Sequence, residues 1–278
     1  MSDGAIPHAD HGILGDPRLR TVKWRDLVRV RPAEVWLELA ISVPWLAAEL
    51  VFNHLAVASH FAWIAGSLVC SFYLFLTGLR QTHNAHHYAL GLSKRGTEWA
   101  MYALSLVMMS SMHAIQVTHL HHHKHCLDDE DVEATTAKLS WLKAIVIGPR
   151  FITGLHYHAL RLAKRKQRSW ILFELASLAV YSALVWLVLD VTALKVHWAL
   201  MVLGQFGTGF FAVWTVHHGC DAERIARTQR GWMKNLISYD MFFHLEHHLF
   251  PAVPTRRLPE LAKRLDEAVP DLRKKLVY

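Results

Sequence analysis

The sequence predicts an all-α integral membrane protein, with four transmembrane helices in two hairpins beneath a cytosolic helical cap that holds a two-metal site. Three observations carry that expectation. The 278 residues are 53% hydrophobic and 19% charged, which suits one membrane domain over residues 1–278 and leaves no room for a large soluble second domain. Several runs are apolar over the length of about 20 residues that crosses roughly 30 Å of hydrocarbon. One histidine spacing also recurs three times, as His83-Asn84-Ala85-His86-His87, His119-Leu120-His121-His122-His123 and His244-Leu245-Glu246-His247-His248.

Residues 1–31 are polar and basic and lack the apolar core and small-residue cleavage site of a signal peptide. The first expected span, residues 35–55, carries Glu38, Glu49 and a kinking Pro44. The second, residues 61–79, contains no charged residue, and the short turn 56–60 joins the two. Residues 97–118 are also largely uncharged, but a crossing there would put the second histidine box on the opposite side from the first. Ser105, Ser110, Ser111, His113 and Gln116 fit an interfacial or re-entrant segment instead. Residues 141–160, interrupted by Gly148-Pro149-Arg150, read as surface-lying. The third and fourth spans, residues 171–191 and 196–216, form the second hairpin around the turn 192–195, with Glu174 and Asp190 in the third.

The formal charge of +7 is concentrated in residues 18–31, 124–168 and 224–275, all outside the apolar runs. The positive-inside bias accounts for this clustering without nucleic acid, and it puts both termini and the metal site in the cytosol, at the inner membrane if the source is bacterial. Cys70, Cys126 and Cys220 are too scattered for a CxxC site or a disulfide framework, which fits a reducing compartment.

On a helix, positions i, i+3 and i+4 share a face, so each box can aim two or three imidazoles at one point. His83 follows the second span by about one helical turn, and His217-His218 follows the fourth directly, so four segments deliver histidines to one layer. His121 and His125 fall off the shared face, and His86 competes with His87 and stays outside the ligand set. His8, His11, His54, His60, His156, His158 and His197 read as isolated interfacial or hydrogen-bonded residues. One tetrahedral zinc takes about four ligands, so the candidates suit two metals better. Imidazole does not identify the element. Iron is favoured by chemistry, because a dinuclear redox metal can activate dioxygen and attack an unactivated C–H bond of a greasy substrate. No G-x-S-x-G, Walker or G-x-G-x-x-G pattern offers another chemistry.

The three boxes, the last continuing as Leu249-Phe250-Pro251-Ala252-Val253-Pro254 and then Leu258-Pro259, resemble the membrane fatty acid desaturase superfamily. The resemblance implies two irons at the cytosolic face, bound by His83, His87, His119, His122, His123, His244, His247 and His248. An extra ligand after the last span would be His217 or His218. It also implies oxygen-dependent desaturation or hydroxylation of a lipid or fatty acyl chain. The first box lacks the aspartate common after its leading histidine, the third begins with histidine where front-end desaturases have glutamine, and Val213 and Trp214 occupy the Asn-x-x-x-His positions of acyl-CoA desaturases. His-Pro-Gly-Gly of a fused cytochrome b5 is absent, so electrons would come from a separate donor of ferredoxin, rubredoxin or cytochrome b5 type with its reductase. Residues 161–168 and Arg256-Arg257 offer that donor a basic face, although positive-inside charges explain them as well.

Asp128, Asp129, Glu130, Asp131 and Glu133 could orient ligating imidazoles or form a solvated loop. Gly204, Gly207 and Gly209, with Phe206, Phe210, Phe211 and Trp214, could shape a tunnel, or serve helix packing and lipid contact. Carotenoid ketolases and hydroxylases resemble the same pattern and form the nearest alternative. A metal transporter or metal-binding membrane protein is the alternative of another class, but it would want ionisable ligands at the midplane, which the second and fourth spans lack.

Overall fold

The computed structural model describes residues 12–221 and 223–277, so His8 and His11 lie outside the described residues. Every named element is helical. Three helical segments, Pro32–Ala58, Phe61–His86 and Arg165–Val188, are long and apolar enough to cross a membrane, and they coincide with the expected spans 35–55, 61–79 and 171–191. Two further pairs pass only as bent units, giving up to five such segments. The protein is an integral membrane protein by these helices.

The first segment comprises α1 (Pro32–Ala40) and α2 (Val43–Ala58), with the break falling just ahead of Pro44. Helix α3 (Ile64–His86) continues unbroken from the apolar run into the first histidine box, with His87 as its C-cap. The expected non-spanning segment consists of α4 (Lys94–Met108) and α5 (Met112–His125), which meet at 110°. Met109 adopts a left-handed conformation at φ 55° and ends α4, and the Ser111 hydroxyl caps α5 by accepting from Ala114 N–H at 3.1 Å. Glu174, fully buried on α8 (Arg165–Ala183), clamps this bend. Its carboxylate accepts from Ser105 Oγ at 2.8 Å, His113 N–H at 3.1 Å and His113 Nδ1 at 2.6 Å, while the His113 ring stacks on Trp170. An acid at membrane depth is costly unless paired, and here the pairing fixes the turn that leads into the second box.

Between these lie the short α6 (Trp141–Val146) and α7 (Gly148–Leu162). A Cβ on Gly148 would stand 1.8 Å from the carbonyl oxygen of Phe206, so only glycine lets α7 approach α9 (Thr192–Phe206) this closely. The expected fourth span, 196–216, is α9 followed, at a 40° bend, by a π-helical stretch Gly209–Trp214 and the single turn α10 (Thr215–His217). Glu49 on α2 accepts from His197 Nδ1 on α9 at 2.8 Å, tying these two apolar helices together. Gly204 packs against Phe75, and Gly209 against Phe151 and Thr136, so these glycines serve close helix contacts.

The C-terminal part folds back as α11 (Trp232–Ile237), α12 (His244–Leu249) and α13 (Leu258–Ala268). Its core joins Leu245, Leu249, Phe250, Leu261 and Leu265 to Leu19 and Leu27 from the N-terminal segment. The sequence Leu249-Phe250-Pro251 after the third box thus serves to bury α12 against α13, each fully buried leucine contributing about 1.5–3 kcal/mol.

Candidate metal centre

Four helices present their histidines at one level: α3 the first box, α5 the second, α10 His217 and α12 the third. The Nε2 atoms converge in two groups. In the first, His83 meets His247 at 2.8 Å, His247 meets His123 at 3.0 Å, His123 meets His119 at 3.2 Å and His119 meets His87 at 3.1 Å. In the second, four atoms close a ring: His122 to His217 at 3.1 Å, His217 to His244 at 2.9 Å, His244 to His248 at 3.1 Å and His248 to His122 at 3.3 Å. The groups adjoin, with the rings of His123 and His248 stacked at 4.4 Å.

Proton positions decide what these contacts are. The carbonyl of Ile225 can only accept, so His217 carries its proton on Nδ1, 2.9 Å away, and presents a lone pair at Nε2. His122 Nδ1 donates to Asp131 at 2.7 Å, a bond that outweighs burial and raises the ring above the usual histidine range, and His119 Nδ1 donates to Glu133 at 3.2 Å. When neutral, His122 presents its Nε2 lone pair to that of His217 at 3.1 Å, an arrangement that a cation at the common focus stabilises. With metal–nitrogen bonds of about 2.1 Å, adjacent ligands stand ~3.0 Å apart at right angles and ~3.4 Å apart in a tetrahedron. The observed separations of 2.8–3.3 Å suit nitrogens that share one ion, and the residues fit a metal in both groups.

Burial tunes the surrounding acids and rings. It pushes His244, His247 and His248 well below the usual histidine range, aided by neighbouring imidazoles, which keeps them neutral and able to ligate. It also raises the Asp131 carboxyl, but hydrogen bonds from His122, Leu127 N–H and Ala134 N–H outweigh it and hold the group below the usual carboxylate range. Of the five acids after the second box, Asp131 and Glu133 reach ring nitrogens of the two groups; Asp128 pairs with His125, and Asp129 is fully exposed.

His218 lies outside both groups. Its Nδ1 donates to the Ala137 carbonyl at 2.9 Å and its ring stacks on Trp214, because the π-helical stretch ends by turning His217, not His218, towards α12. Cys126, which sequence spacing set aside, comes within 4.8 Å of nitrogens of His122, His217 and His248. It competes geometrically with His244 for the second group. His244 is the better member: its Nε2 is in direct contact with two others, whereas the Cys126 thiol is raised well above its ordinary value by burial and points to the Ile225 carbonyl at 3.8 Å.

The family model for fatty acid desaturases matches residues 59–277, a stretch that includes every histidine of the two groups. The chain belongs to the fatty acid desaturase family. No curated protein and no solved structure matches it. The family is one of metal-using enzymes, in keeping with paired histidine clusters that can hold ions.

Residues that sequence reasoning missed brace the boxes. Buried Arg80, one turn before His83, pairs with Glu38 through two contacts of 2.7 Å and donates to the Tyr239 carbonyl at 2.8 Å. Asn84 donates to Glu38 and accepts from Thr255 N–H and Oγ, linking the first box to the segment after the third. Glu246, inside the third box, accepts from Thr228 at 2.7 Å and Arg230 at 2.8 Å on the face opposite the histidines. Arg256 and Arg257, expected on a basic outer face, are engaged inward with Glu38 and Glu34.

A cavity of about 470 Å³ leads to the first group. Phe72, Phe75, Leu76 and Phe211 form its apolar end, and His83, His119 and His244 line it beside Glu133. A second cavity of about 460 Å³ is lined by Asp128, Lys138, His217, His218 and Cys220.

Proposed function

We propose that this protein is an oxygen-dependent lipid desaturase that uses two irons to remove hydrogen from a fatty acyl chain. His83, His87, His119, His123 and His247 would hold one ion, and His122, His217, His244 and His248 the other. The observation that carries the reading is the convergence of nine imidazole nitrogens from four helices beside an apolar cavity that His83, His119 and His244 line. When bound, the iron pair supplies dioxygen activation and the redox power to break an unactivated C–H bond.

The chain's own residues do the rest. Phe72, Phe75, Leu76 and Phe211 bind the hydrocarbon and exclude water, which raises the effective concentration of the reacting carbons at the histidines. Asp131, Glu133 and the Ile225 carbonyl hold the Nδ1 protons of His122, His119 and His217, which fixes the ligating tautomer. Electrons would come from a separate ferredoxin, rubredoxin or cytochrome b5 type donor on the cytosolic side, with the termini on that side too. The second cavity, which His217 lines, favours an approach there.

Lipid and carotenoid mass spectrometry of cells expressing wild type beside His122→Ala tests the reading. A product with one more double bond, lost in the variant and dependent on dioxygen and reductant, supports it. An oxygenated ring product would assign the carotenoid ketolase or hydroxylase alternative. Metal flux without oxygen consumption would assign transport.

A further inference from the structure

Helix α11 lies outside every membrane-crossing segment yet exposes an apolar stripe. Trp232, Met233, Leu236 and Ile237 are 75%, 58%, 69% and 54% exposed, and their i, i+1, i+4 spacing puts them on one face. On the opposite face Asn235 is buried and donates to the carbonyls of Gln229 and Gly231, which fixes the stripe outward.

The level of this helix follows from its C-terminal neighbour. The Tyr239 carbonyl accepts from Arg80 at the end of the apolar part of α3, and the Tyr239 hydroxyl accepts from Trp45 Nε1 at 3.0 Å on α2. Its ring packs against Tyr73, which at 1.5 Å per residue sits ~10 Å deeper along α3 than Arg80. Consecutive left-handed residues, Tyr239 at φ 53° and Asp240 at φ 62°, make the sharp reversal that lets the chain dip there and return to the third box. The other side of the same stretch walls the cavity, through Lys234, Ser238, Met241 and Phe242, and Ile237 at the edge of the stripe borders both.

We propose that α11 is an interfacial portal: its stripe lies among the lipids of the leaflet, and the substrate enters the cavity sideways beneath it as a bilayer-resident lipid, not from a water-soluble carrier. The proposal rests on the reading of that cavity as the acyl site. Amphipathic segments of this kind sit at the headgroup boundary with tryptophan and aliphatic side chains inserted, and continuity between stripe and cavity wall supplies the path. Lys234 at the mouth is placed to meet the phosphate of a headgroup.

Photocrosslinking of the full chain in phosphatidylcholine–phosphatidylglycerol vesicles tests this without requiring turnover. Benzoylphenylalanine is introduced in place of Trp232, Leu236 or Met241, with Lys263 on α13 as an exposed control outside the stripe. Phospholipid adducts at 232 and 236 at least tenfold above the 263 control, together with capture of a phospholipid chain at 241, are expected. Adducts at 232 and 236 no higher than at 263, or capture at 241 of added palmitoyl-coenzyme A but of no vesicle lipid, would overturn the proposal. Three sites guard against one poorly folding variant. If adducts form but no dioxygen-dependent product does, the desaturase reading falls while the portal stands; turnover without adducts is the converse.

Discussion

Asp131→Asn isolates the contribution of one carboxylate to the metal site. Asp131 Oδ2 accepts from His122 Nδ1 at 2.7 Å and from Leu127 N–H at 2.8 Å, and Oδ1 accepts from Glu133 N–H at 3.1 Å and Ala134 N–H at 3.0 Å. Every partner is a donor. An asparagine side chain has one acceptor oxygen and one NH2 group, so in either orientation its amide hydrogens face two donors. The variant loses a charge-assisted hydrogen bond of about 1.5–3 kcal/mol and releases the His122 tautomer. Loss of such a partner typically weakens metal binding by about 10–100-fold. Since His122 belongs to the second group only, iron titrated against a chelator should show that one ion weakens while the other holds, the ratio falling from about two per chain towards one. Asp129→Asn, at a fully exposed side chain, is the control. Unchanged affinity for both ions in Asp131→Asn would refute the argument that the carboxylate sets the ring.

Further outcomes follow from other parts of the structure. His217→Ala should lower bound metal and abolish product, whereas His218→Ala should retain both, as read by metal analysis and product mass spectrometry. Gly148→Ala forces its Cβ against the Phe206 carbonyl, so thermal unfolding in detergent should reveal a loss of about 1–3 kcal/mol or more; an unchanged midpoint would show that α7 can move away freely. Burial raises Asp266, but hydrogen bonds from Arg273 and Arg230 outweigh it and leave the carboxyl below its ordinary value. Its folded pKa is depressed, so the stability it contributes is full above ~3.9 and is lost as pH falls below that. Asp266→Asn should therefore lower the midpoint at pH 6 and flatten the acid dependence below pH 4.

Much of this protein is legible in its sequence because a membrane leaves few options. Uncharged runs of span length have to be helices, and α3 carries its run straight into His83 and His87, as helical continuity requires. The boxes are legible because i, i+3, i+4 spacing makes imidazoles share a face, and the polar character of residues 97–118 marks a segment that is bent through 110°. What stays hidden depends on contacts distant in sequence. Glu38, Arg80 and Asn84 look like stray polar residues near span ends, yet they meet across 42 and 46 positions to brace the first box. Choosing His217 over His218 depends on π-helical winding in Gly209–Trp214, a phase shift that no spacing rule carries. Cys126 becomes a neighbour of the second group only because α5 ends beside Ile225.

In the proposed enzyme two sets of imidazoles, and no other group from the protein, surround a pair of metals. X-ray absorption at the iron edge of the loaded protein reads those ligands. A nitrogen-dominated shell near ~2.1 Å with the outer scattering of imidazole rings, and no sulfur near ~2.3 Å, is expected. A sulfur shell, which would bring Cys126 in for His244, or a shell of oxygens without ring scattering, would contradict it.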